Sequence, residues 1–198
     1  MSTGVSPIAA PPTLMGLAWP ARSLARTVVL MAVGSALLAL SAKIQVPFYP
    51  VPMTMQTLVV LVTGAAYGWR LGGATVALYL LEGALGLPVF AGPVAGIGYM
   101  AGPTGGFLAG FLPAAMLTGS LAERGWARSL LQVLAVMAAG HAVIFAFGFA
   151  WLAQLFQFDF GRAWAAGVAP FYAATVLKTA LAAALIQAGW RVLGRRKA

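Results

Sequence analysis

The chain has no cysteine, three acidic residues and one histidine among 198 residues. Without cysteine, neither a disulfide framework nor a thiolate metal site is available. The acids are Glu82, Glu123 and Asp159, and no two sit at helical spacing. No HExxH or GxSxG run occurs. The stretch 102-GPTGG-106 has glycines but is not a GxxxxGK[ST] phosphate loop. These absences speak against an enzyme, a metal centre, a cofactor site or an ATP site. Solute capture or transport, a channel, and a structural or assembly role remain.

Charge is scarce as a whole, while apolar residues are abundant. The chain is 62% hydrophobic and 8% charged, with a mean hydropathy of +0.93. Soluble domains run at roughly 45–50% apolar and 25% charged residues. A water-soluble core of this size cannot hide so much apolar surface. The sequence therefore predicts an all-α integral membrane protein in one domain. The formal charge of +9 does not imply nucleic acid, because the basic residues sit at the ends of apolar segments.

A spanning helix needs ~20 mostly apolar residues, and Gly and Pro do not rule one out. Six spans are expected, at about 24–42, 54–69, 71–86, 105–121, 128–152 and 170–192. Residues 1–23 read as a flexible or interfacial tail, and 24–198 as the membrane domain. The first 20 residues hold no Lys or Arg and lack the basic region of a secretory signal. With both termini cytoplasmic, the inner side carries Arg22, Arg26, Arg70, Arg124, Arg128, Arg191, Arg195, Arg196 and Lys197. The outer side carries only Lys43 and Arg162. That bias is what the positive-inside rule favours. The outer loops are longer and rich in Gly, Pro and aromatics. They read either as a lid over an outward-facing pocket or as ordinary interfacial loops.

Lys178 falls inside the last span, about eight residues or ~12 Å below its outer start. An ammonium at the bilayer centre costs about 2.5–3.5 kcal/mol on insertion scales. It reads as an anion-binding group in a pocket, or as half of a structural ion pair with Glu82 or Asp159. Gln56 and Thr57, just after 50-PVPMT-54, can donate and accept hydrogen bonds. Thr54 is a plausible N-cap there. His141, in 138-AAGHAVIFAFG-148, reads as a packing or helix–helix hydrogen-bond residue rather than a proton or metal site. In the first span, Ala32/Ala36 and Ser35/Ala39 form small-xxx-small pairs. Such pairs let another helix approach closely, within this chain or from a partner.

The segment 50-PVPMTMQTLVVLVTGAAYGWRLGGATVALYLLEGALGLPVFAG-92, then 102-GPTGGFLAGF-111 and 170-PFYAATVLKTAL-181, resembles the BioY family. These are the biotin-capturing S components of energy-coupling-factor (ECF) vitamin transporters. The likeness covers most of residues 25–190. It implies a six-helix bundle in the bacterial cytoplasmic membrane, with biotin held near the outer face beneath the outer loops. It implies partners too: a transmembrane T component, contacted by small residues of the first helix such as Ala32 and Ala36, and a pair of ABC-type ATPases. By resemblance Lys178 binds the ligand. Phe48, Tyr49, Phe90 and Tyr99 lie in the loops that would form the pocket around the fused rings. The chain departs from the pattern at Thr175, where many relatives are expected to carry an acid three residues before the lysine. Glu82 or the ligand itself would then supply the counter-charge. A different small anionic vitamin on the same architecture, or a passive channel or assembly protein, are the other readings.

Overall fold

The computed structural model describes residues 13–21 and 23–195. Residues 1–12 of the expected tail, and Arg22, Arg196 and Lys197 of the basic count, lie outside the described residues. Among the described residues the regular structure is helical apart from one small hairpin. A short helix α1 (Leu14–Ala18) precedes α2 (Leu24–Lys43), and strands β1 (Gln45–Val46) and β2 (Met53–Thr54) pair antiparallel. Then come α3 (Gln56–Tyr67), α4 (Trp69–Ala84), the single turn α5 (Ile97–Met100) and α6 (Gly105–Leu121). They are followed by α7 (Leu130–Leu155), α8 (Phe160–Gly167) and α9 (Tyr172–Arg195).

Local chemistry sets these boundaries. Ser23 caps α2 by accepting from the Arg26 N–H, and Asp159 caps α8 by accepting from the Arg162 N–H. Ser129 and Gln132 close a reciprocal capping box, which starts α7 at Leu130. Thr54 is not the N-cap of α3: Met55 holds that position, and Thr54 belongs to β2. The Thr54 hydroxyl still accepts from the Gln56 N–H at 3.3 Å. Gly68 alone joins α3 to α4, at φ +88°. A side chain is strained in that left-handed region, and a Cβ there would run into the Glu123 carboxylate. The Glu123 Oε1 also accepts from the Trp69 N–H at 3.2 Å.

Lys43 at the end of α2 meets the Phe90 and Gly92 carbonyls, Trp151 on α7 the Gly102 carbonyl, and Lys178 on α9 the Thr54 carbonyl. One end of the bundle therefore gathers the hairpin, α5 and α8. The other carries Arg26, Arg70, Arg124, Arg128 and Arg191. The shortest long helix, α3, lies at the centre and packs against α2, α4, α6, α7 and α9. Its Val60 and Leu61 are wholly buried, together with Leu38, Val76, Met137 and Ile144 from its neighbours. The outward faces are apolar as well: Leu24, Val28, Val33 and Leu40 on α2, and Val176, Leu181, Leu185 and Val192 on α9 are exposed. Such a surface suits lipid. Four helical stretches are long and apolar enough to cross a membrane: 24–43, 105–126, 130–155 and 160–193. Helices occupy the second and third expected positions too, but at 12 and 16 residues they fall short of a full crossing.

Candidate ligand-binding site

The site forms where α3 begins below the hairpin. A narrow cleft, with about 40 Å³ of accessible space, opens there between α3, α6, α7 and α9 and under the loop before α6. Its walls are mainly apolar: Phe107 and Phe111 from α6, Phe145 from α7, Phe171 at the foot of α9, and Val51 from the hairpin. The polar lining comes from Thr54, Gln56, Thr57, Tyr99, Thr104 and Lys178.

Lys178 is only 4% exposed. Its ammonium donates to the main-chain carbonyl of Thr54 at 3.1 Å. Among the described residues the one ion pair is Arg162–Asp159, at the surface. Glu82 is engaged elsewhere, accepting from the Ser35 hydroxyl across α2 and α4. An ion pair between Lys178 and Glu82 or Asp159 is therefore not the arrangement found. An ammonium has three N–H donors, and this one makes a single hydrogen bond among the described residues. Burying a charge so sparsely partnered is costly, and an entering acceptor or anion would offset that cost.

The neighbouring polar groups are locked in a chain. The Thr54 hydroxyl donates to Gln56 Oε1 at 3.1 Å. Gln56 Nε2 donates to the Tyr79 hydroxyl at 2.5 Å, which donates to the Val89 carbonyl at 3.1 Å. Phe90 meets Tyr79 edge-on and stacks on Tyr99 with centroids 5.1 Å apart. Burial holds the Tyr99 phenol above its ordinary pKa. Lys43, at the end of α2, donates to the Phe90 and Gly92 carbonyls at 2.7 and 3.0 Å. It thereby ties the hairpin side of the mouth to the 85–104 loop.

Of the residues expected at the site, Lys178, Gln56, Thr57 and Tyr99 line the cleft. Phe90 is buried behind Tyr99. Phe48 and Tyr49 are 45% and 90% exposed, on the outer side of the hairpin. Thr175 is absent from the lining, and its hydroxyl is buried without a hydrogen-bond partner. Phe107, Phe111, Phe145, Phe171 and Thr104 were not expected. Phe107 and Phe111 stand at i, i+4 on one face of α6, a spacing that reads equally as core. On α2, Ala32 and Ala36 are exposed, whereas Ser35 is buried and Ala39 is half-buried. The Ser35/Ala39 pair thus serves packing within the bundle.

Fold and cleft together define a class: an all-helical integral membrane protein with an apolar cleft inside its bundle. The chain belongs to the BioY family, whose sequence model matches residues 12–195. It is 37% identical over 158 residues to a probable biotin transporter BioY of Pyrococcus horikoshii, covering 80% of this chain and 92% of that protein. It is 36% identical over 184 residues to the biotin transporter BioY of Rhizobium etli, covering 86% and 98%. Its fold matches the crystal structure of an S-component for biotin from an ECF-type ABC transporter, with a TM-score of 0.72 at 20% identity. That match covers 84% of this chain and 93% of the other.

Proposed function

We propose that this protein captures biotin from the outer side of a bacterial cytoplasmic membrane and is the substrate-binding subunit of its uptake. The observation that carries the reading is Lys178, buried at the cleft with no acid beside it. The carboxylate of biotin supplies the missing anion through a charge-assisted hydrogen bond. The phenylalanine walls suit its fused apolar rings, and Gln56, Thr57 and Tyr99 contribute the polar contacts. Binding occurs without catalysis.

In this reading the six long helices all belong to the membrane domain, with both termini cytoplasmic. The basic end of the bundle supports that orientation. Energy comes from a transmembrane T component and a pair of ABC-type ATPases. Ala32 and Ala36, small and exposed on α2, are the surface on which the T component docks. The test is a ligand screen on purified protein by thermal shift, with biotin, thiamine and riboflavin. Stabilisation by biotin alone is expected. Stabilisation by another vitamin instead would replace biotin as the substrate, and no ligand-dependent shift would point to a channel or assembly role.

A further inference from the structure

His141 lies within α7 and is 2% exposed, yet both ring nitrogens have partners. Nδ1 is 3.1 Å from the Met137 carbonyl, one turn back on α7, and 3.2 Å from the Thr179 hydroxyl on α9. Nε2 is 3.3 Å from the Thr57 hydroxyl on α3. A carbonyl only accepts, so the ring hydrogen sits on Nδ1, shared between Met137 and Thr179. A buried ring with no acid partner carries one hydrogen, not two. Nε2 therefore holds a lone pair, and the Thr57 hydroxyl donates to it.

Thr57 lines the cleft, and its contact with His141 is its hydrogen bond among the described residues. Its only hydrogen is committed to the ring, so it offers the cleft lone pairs alone. Thr54 behaves in the same way, giving its hydrogen to Gln56. Lys178 is the charged donor of the cleft, beside the hydroxyls of Tyr99 and Thr104.

We propose that His141 is a positioning residue that sets the hydrogen-bond polarity of the site. By holding the Thr57 hydroxyl on its Nε2, it makes Thr57 an acceptor toward the cleft, and the site selects a ligand that presents an N–H there. A cyclic urea does so. Only the identity of that N–H rests on the biotin reading; the polarity does not.

Two measurements test this. The chain has a single histidine, so ¹⁵N-histidine labelling reports one ring. NMR is expected to show hydrogen on Nδ1 and a lone pair on Nε2. Hydrogen on Nε2 overturns the proposal, whatever the ligand is. The second measurement compares biotin with two analogues in which one or the other ureido N–H is replaced by oxygen. The wild-type protein is expected to disfavour one analogue about tenfold or more, because two acceptors then face each other. His141→Phe, which frees the Thr57 hydroxyl to turn and donate, is expected to shrink that preference to about threefold or less. His141→Gln, which restores an acceptor, should recover it. Unchanged discrimination in a folded His141→Phe protein overturns the proposal. A wild-type protein that ignores biotin altogether defeats the biotin reading instead, and the ring tautomer then decides the polarity alone.

Discussion

Lys178 on α9 and Thr54 at the mouth of α3 are joined by one hydrogen bond, ammonium to main-chain carbonyl, at 3.1 Å. A cation that deep, held by a neutral carbonyl, is prepared for an anion. Lys178→Ala is expected to weaken biotin binding about ten- to a hundredfold, the range of a charge-assisted bond. Titration calorimetry in detergent reads this directly. Affinity within twofold of wild type would remove Lys178 from the site.

Lys43 holds the mouth together from outside the cleft. Lys43→Met deletes its bonds to the Phe90 and Gly92 carbonyls and touches no lining residue. The 85–104 loop should then loosen. Stopped-flow measurements should show biotin leaving severalfold faster, with little change in melting temperature. An unchanged off-rate would show that this tie does not control the mouth.

On α2, bulk at an exposed position should separate binding from transport. Ala32→Trp and Ala36→Trp are expected to keep biotin affinity within about twofold and to lower uptake severely in cells that supply the energising module. Ser35→Trp should instead damage the fold, because Ser35 is buried against Glu82. Equal loss of binding and uptake in the two alanine variants would argue against docking there.

Gly68 offers a stability test. Gly68→Ala places a side chain at φ +88° and against Glu123. A left-handed non-glycine residue costs roughly 1–2 kcal/mol, and the clash adds to it. Gly92, at φ +77° with open space around it, is the control. Gly92→Ala should lower the melting temperature by less than Gly68→Ala, and the reverse order would refute the role given to Glu123.

How much of this was legible in the sequence depends on what each residue had to signal. Lys178 was, because a lone ammonium in an apolar run has few explanations. Gln56 and Thr57 were, because they follow a turn at a helix start. The exposed placement of Phe48 and Tyr49 was not: which side of a two-residue hairpin faces a cleft depends on strand pairing that spacing does not reveal. Phe107, Phe111 and Phe145 were invisible for the opposite reason, since a phenylalanine in a membrane helix looks the same lining a cleft, filling a core or facing lipid. Thr175 shares a helical face with Lys178, but its short side chain ends inside the bundle while the longer one reaches the cleft. Helices stand near all the expected spans; the second, about 54–69, is short in the sequence already, and α3 is shorter still because the hairpin takes its first residues and Gly68 ends it.

That brevity has a consequence of its own. Twelve residues of helix reach ~18 Å, against a hydrocarbon layer of ~30 Å. A central post so much shorter than its surroundings leaves a well above it, ringed by taller helices and roofed by the hairpin. The depth to which a guest must descend is then set by the missing turns of one helix. Lengthening α3 by a turn would fill the well from below and carry Gln56 and Thr57 away from Lys178.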